Sequence, residues 1–198
     1  MKLYLTLLSI AAVVILEING VYAVTAGFSF WNAALWVVLA FLILFGGNVV
    51  AVVFCRILPK KVYNPNSKFF KVYKWENKFY LKLGVKTWKD LIPEMGKLGG
   101  FEKKKIDNLN SEYLYKFLQE NCLAELVHIL SMIASLLVFF LPMRYWLSIG
   151  LPEAIMNFIF NFLPFATQRY LRPKFLALYK HQSRQEKNKN IQENAENS

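Results

Sequence analysis

The sequence predicts an all-α integral membrane protein, with about four transmembrane helices and a cytoplasmic amphipathic hairpin between the second and the third. Three observations carry that prediction. Apolar residues make up 56% of the chain and mean hydropathy is +0.29, yet the formal charge is +11. The apolar residues are gathered in blocks long enough to cross a bilayer. The lysines are gathered between those blocks, a pattern typical of a small membrane protein with basic cytoplasmic parts. That separation of charge from apolar sequence argues against a nucleic-acid partner, which a basic chain otherwise invites. His128 and His181 are the only histidines, and no Cys or His cluster has ligand spacing, so neither a metal site nor a bound cofactor is expected. Cys55 and Cys122 each fall at a helix end on the basic side, which suggests reduced thiols.

The first block runs from Leu3 to about Ala23, broken only by Glu17 and Asn19. Lys2 and the following apolar run resemble a signal peptide, but the block is long for one and Glu17 falls late in it. We read it as a retained transmembrane helix. The second block, Trp31 to about Ile57, holds Gly46-Gly47-Asn48 at its middle, where small residues let another helix approach closely. These two helices form a region spanning residues 1–57.

Residues 58–121 carry fourteen lysines against seven acids, whereas the connection from Gly27 to Asn32 carries no charge. The positive-inside rule places this loop in the cytoplasm, and the basic tail after Gln168 agrees. Both termini are then cytoplasmic in a multi-pass protein of a cell membrane. Within the loop, Val72, Trp75, Phe79 and Leu83 form one helical stripe among lysines, and Gly84 is placed to stop that helix. A short second piece, Val85 to Ile92, ends at Pro93. Amphipathic helices of this kind lie in the bilayer interface, apolar side down. Gly96 to Asn110 reads as a mobile loop, and Ser111 as the N-cap of a helix running into the third span.

The third span covers roughly Leu123 to Leu141, and the fourth returns from about Tyr145 or Pro152 to Ala166; together they make a hairpin over residues 122–176. Asn157, Asn161, Pro164 and Gln168 lie on one stripe of the fourth helix, which should face other helices rather than lipid. The polar tail, 177–198, ends in an Asn-, Glu- and Gln-rich segment from Ser183 that its composition predicts to be disordered.

The chemistry-bearing stretch is Ala124-Glu125-Leu126-Val127-His128, at the mouth of the third span. Glu125 and His128 are three residues apart and share a helix face. A carboxylate beside an imidazole is the minimum equipment for general-base work, the carboxylate orienting the ring. A buried polar pair that merely pins helices is the alternative. By topology Glu125 and His128 lie at nearly the depth of Gln168-Arg169-Tyr170, at the inner interface. Arg169 and Arg172 suit the phosphates of a cytoplasmic donor such as acyl-CoA, and the alternative for both is a positive-inside anchor.

These residues also carry a family resemblance. Ala124 to His128, then Asn161-Phe162-Leu163-Pro164, then Gln168-Arg169-Tyr170-Leu171-Arg172-Pro173 resemble the glycosyl-4,4'-diaponeurosporenoate acyltransferase family. Arg56 with Pro59, Trp75-Glu76 with Phe79-Tyr80, and Trp88-Lys89 with Pro93 resemble its upstream pattern, so the likeness covers about Arg56 to Phe175. It implies transfer of a fatty acyl group to the primary hydroxyl of a glycosylated C30 carotenoid, the last step of staphyloxanthin formation in bacteria, and so a bacterial cell membrane. Combined with the residues, it gives His128 as general base and Glu125 as its orienting carboxylate. Gln168 or Tyr170 would donate to the oxyanion, and Asn161, Arg169, Arg172, Glu76, Trp75 and Trp88 would serve the substrates. No serine or cysteine is placed for a covalent acyl-enzyme, which favours direct transfer. Two other readings stay open: an acyltransferase for another glycolipid, and a non-catalytic membrane protein that binds lipid or a partner through its basic hairpin.

Overall fold

The computed structural model describes residues 2–92 and 110–196. Residues 93–109, which hold Pro93 and most of the Gly96–Asn110 loop, lie outside the described residues, as do the last two of the tail. Every regular element among the described residues is helical: α1 (Lys2–Thr25), α2 (Phe30–Ile57), α3 (Lys74–Lys82), α4 (Val85–Trp88), α5 (Ser111–Ala134) and α6 (Leu151–Glu196), with short 3₁₀ and π turns between them. Three stretches are long and apolar enough to cross a membrane: Phe30–Ile57, Ser111–Phe140 and Trp146–Ala195; the apolar part of α1, Ser9–Thr25, is shorter. The chain is thus an all-helical protein with three to four helices of membrane-spanning character. It divides into two compact units, one of Met1–Ile57 and Leu126–Pro164, the other of Leu58–Glu125 and Phe165–Ser198.

In the first unit, large apolar side chains face outward, Trp31 at 78% exposure and Phe45 at 67%, while Asn19, Ser131 and Glu153 are buried. That distribution suits a hydrocarbon solvent, in which polar groups must find their partners inside the protein. Gly27, at φ 74°, closes α1 in the left-handed region, and the Phe28 N–H donates back to the Ala23 carbonyl at 2.7 Å. Asn19 Nδ2 donates to the carbonyls of Ile15 and Ser148, both at 2.8 Å, fastening α1 to the π turn Trp146–Gly150. Around this joint Ile15, Val37, Ala40, Leu44, Val138, Leu141 and Ile149 form the apolar core.

The third span departs from the helix expected to reach Leu141. It is α-helical to Ala134 and tightens to a 3₁₀ turn over Ser135–Phe140. Leu141 then turns extended, as the residue before Pro142 must to avoid the proline ring. Of the two glycines at the middle of α2, only Gly47 serves a close approach. A Cβ there would sit 2.9 Å from Leu137 Cδ1 and 3.0 Å from Ala134 Cβ, whereas one on Gly46 would meet nothing within 4 Å.

In the second unit Gly84, at φ 71°, stops α3 where the sequence predicts. The N-cap of α5 is Asn110 rather than Ser111: its Oδ1 accepts the Tyr113 N–H at 2.8 Å. Ser111 instead donates its N–H, at 2.8 Å, and its hydroxyl to Glu186. Tyr115 against Tyr179 and Phe117 against Phe175 continue the contact, with ring centroids 5.5 and 4.8 Å apart. This is why the tail is helical to Glu196 where composition predicts disorder. Glu186 docks it on the start of α5, and Lys189 with Glu193 adds an i,i+4 pair.

Gly47→Leu is expected to cost about 1–3 kcal/mol by overpacking, seen as a lower thermal unfolding midpoint in detergent. Gly46→Leu is expected to stay near wild type in the same measurement.

Candidate functional site

Two polar assemblies stand out, one in each unit. In the second unit, α3 begins after Tyr73, and Glu76 at its third position accepts the Tyr73 N–H on Oε1 at 3.0 Å, the return half of a capping box. The other oxygen of Glu76 accepts from Arg169, by Nε at 3.0 Å and by Nη2. Arg169 Nη1 donates to Glu125 Oε1 at 2.8 Å, and Nη2 also reaches the Lys71 carbonyl at 3.1 Å. Arg172 Nη1 meets the second oxygen of Glu125 and donates to the Phe70 carbonyl at 3.2 Å. Its remaining nitrogens go to Asn121, with Nη2 2.7 Å from Oδ1, and its guanidinium lies over the Phe70 ring.

The result is a buried chain of alternating charge, Glu76–Arg169–Glu125–Arg172, that sums to zero. Glu125 is 0% exposed and Arg172 1%. Burial raises the pKa of the neighbouring Tyr80 hydroxyl, while Arg169 pulls it the other way.

In the first unit His128 Nδ1 lies 3.0 Å from Asn161 Oδ1. Asn161 Nδ2 donates to the Asn157 carbonyl at 2.9 Å, which leaves Oδ1 as the atom that faces the ring. An amide oxygen only accepts, so Nδ1 of the neutral imidazole carries the proton and Nε2 keeps its lone pair. Asn157 is itself held: its Oδ1 accepts from Asn48 Nδ2 at 2.8 Å, and its Nδ2 donates to the Ser131 carbonyl and Ser135 Oγ, both at 2.9 Å. The network therefore fixes the amide orientations and the histidine tautomer together.

The partnership of Glu125 with His128 expected from helix spacing is corrected by these contacts. Glu125 is committed to two arginines, whose charge-assisted bonds outcompete an imidazole for a carboxylate. The ring takes its orientation from Asn161 instead. Arg169 and Arg172, expected to meet donor phosphates, contact carboxylates, backbone carbonyls and Asn121 here. Gln168 is half-buried, with Oε1 lacking a hydrogen-bond partner among the described residues. Tyr170 is buried, with Lys174 over its ring at 4.8 Å. Trp88 Nε1 donates to the Leu83 carbonyl at 3.0 Å, and Trp75 faces outward at 67% exposure.

Sequence reasoning missed Asn121, Ser135 and Glu153, and took Asn48 with its glycines as packing. Glu153 is 0% exposed, and neither oxygen has a hydrogen-bond partner among the described residues. The signal was available: an acid inside an apolar segment is costly and seldom accidental.

A family model described as glycosyl-4,4'-diaponeurosporenoate acyltransferase matches residues 66–181. Nothing matches among curated proteins or among solved structures. The matched span contains all four members of the charge chain together with His128 and Asn161, and excludes α1 and α2.

Removing one member of the charge chain strands a buried charge. Glu125→Leu and Arg172→Met are each expected to cost about 3–5 kcal/mol, and the double variant to cost less than their sum. Thermal unfolding of the four purified proteins checks this, and additive losses would show that the two side chains are not energetically paired.

Proposed function

The chain belongs to the glycosyl-4,4'-diaponeurosporenoate acyltransferase family, and on that premise we propose that it transfers a fatty acyl group from acyl-CoA to the primary hydroxyl of a glycosylated C30 carotenoid, with His128 as general base. Acyl transfer is the activity of the family. The donor, the acceptor and the residue roles are the proposal.

The observation that carries it is the fixed tautomer of His128. With Nδ1–H given to Asn161, the lone pair on Nε2 is free to take the proton of a sugar hydroxyl as its oxygen attacks the thioester carbonyl. The tetrahedral intermediate then expels the CoA thiolate, and the imidazolium returns the proton to the sulfur, so the histidine ends as it began. Asn161 fills the place that a carboxylate holds in serine-protease triads and that an asparagine holds in papain-like enzymes. The neutral amide suits an apolar setting, where a bare carboxylate would be costly. The arginine chain is a scaffold that fixes the Phe70–Tyr80 segment against α5 and α6 within its own unit.

His128→Ala is expected to lower turnover by roughly 100- to 10,000-fold, the usual contribution of a positioned acid–base group. Asn161→Ala is expected to lose less and to alter the pH profile, since the ring then samples both tautomers. Purified variants at matched folded concentration, assayed with acyl-CoA and a glycosylated polyisoprenoid, test this; near-wild-type turnover by His128→Ala removes the base.

The lysine excess supports a cytoplasmic position for the loop and both termini. Lys78→Cys, at an exposed position, is expected to react with an impermeant thiol reagent only after cells are opened. Labelling of intact cells would place the loop, and its chemistry, on the other face.

A further inference from the structure

The second unit presents a helix whose amphipathicity is inverted. The inward side chains of α3 are Glu76 and Tyr80, 6% and 4% exposed, with the carboxylate held by Arg169. Its outward ridge is Trp75, Phe79 and Leu83, at 67%, 46% and 41% exposure, spaced i, i+4 and i+8. Just before the helix, Phe69 and Tyr73 are also exposed, at 60% and 48%; after it Leu91 is exposed at 66%. A helix on a water-facing surface is arranged the other way, with its apolar stripe toward the core. Contiguous exposed apolar surface of this kind marks an interaction site.

The rim of the ridge identifies what meets it. Lys71, Lys74, Lys78, Lys82 and Lys86 are all exposed. The acids of this segment do not offset them. Glu76 is buried on Arg169, and Asp90 is paired with Lys89 at 2.5 Å. The surface is therefore aromatic at its centre and uncompensated positive at its edge. Its four rings are Phe69, Tyr73, Trp75 and Phe79, and Trp and Tyr are the residues that favour the headgroup level of a bilayer.

We propose that α3 and the residues flanking it form a docking surface for anionic phospholipid, with Trp75, Phe79 and Leu83 entered into the boundary between headgroups and acyl chains and the lysines on the lipid phosphates. The buried Glu76–Arg169 pair gives this surface its direction: it pins the polar side of α3 inward and leaves the apolar side for lipid. The ridge is then a contact with the bilayer itself rather than a pocket for either substrate, so the proposal stands independently of the acyl-transfer reading.

Site-directed spin labelling in vesicles tests it. Cys55 and Cys122 are both 0% exposed, so a nitroxide reagent attaches selectively at an introduced surface cysteine. The full-length protein is labelled at Phe79→Cys or at Lys78→Cys and reconstituted in phosphatidylcholine, with or without phosphatidylglycerol. Collision with dissolved oxygen reports lipid, and collision with a water-soluble nickel chelate reports solvent. With phosphatidylglycerol present, the label at position 79 is expected to collide several-fold more with oxygen than with nickel, and the label at 78 to show the reverse. Without the anionic lipid, or with Lys74, Lys78 and Lys82 changed to Glu in the Phe79→Cys protein, the contrast at 79 is expected to fall toward equality. Equal access at 79 and 78 in anionic vesicles would overturn the proposal. So would protection at 79 that rises with protein density regardless of lipid, which would assign the ridge to a second copy of the chain.

Discussion

The alternating chain Glu76–Arg169–Glu125–Arg172 is the interaction on which the second unit depends. Each charge taken from water carries a desolvation penalty of several kcal/mol, and only close pairing with further hydrogen bonds offsets it. Here all four are closely paired, and Glu76, Arg169 and Arg172 have further hydrogen bonds to backbone or Asn121. The two arginines rise from α6, Glu125 from α5 and Glu76 from α3, and the same guanidiniums capture the carbonyls of Phe70 and Lys71. A loop segment with few buried apolar residues of its own is thereby given a defined path. Phe70 and Tyr80 lie against the ions, and Tyr63, Pro65 and Val85 are also buried. Exposed arms carrying lysine and aromatic side chains are what remain on the outside.

The first unit has a network of a different kind, built from neutral groups. One set of its polar residues, amides and hydroxyls, meets in a row from Asn48 through Asn157 to Asn161 and His128, while Glu153 stays apart from that row. Neutral groups satisfy each other at lower desolvation cost than ions, which suits a helical unit whose outer surface is apolar. A useful by-product is orientational order. An amide has one donor end and one acceptor end, so each asparagine dictates the setting of the next. The imidazole at the end of the row receives its tautomer from Asn161, which is itself set by Asn157 one helical turn away.

Much of the fold was legible because periodicity and punctuation act locally. Gly84 ended α3, helix spacing turned Asn157 and Asn161 inward, and the start of α5 fell within one residue of its expected place. What was not legible was choice among distant partners. Spacing put Glu125 one turn from His128, and nothing in a linear reading weighs that neighbour against Arg169, 44 residues onward. The tail was misread for a related reason. Its composition lacks a core of its own, but the open N–H and hydroxyl at Ser111 supply Glu186 with a partner that no local pattern reveals. Glu153 carries no local pattern: it has no ionisable neighbour at helical spacing, and only its position in an apolar segment marks it.

The neutrality of the four-membered chain also bears on how such a sequence drifts over generations. A substitution that removes the charge of any one of Glu76, Glu125, Arg169 or Arg172 leaves an odd charge in a buried interior, so the intermediate genotype is less stable than either end of the path. Change is confined to two-step exchanges that remove one acid and one base together. Those exchanges join segments far apart in the gene: the loop with the end of the last apolar helix. Descendants of this sequence would therefore retain the set whole or shed it in matched pairs, while the outward aromatic ridge, with no charge to balance, can exchange one apolar residue for another singly.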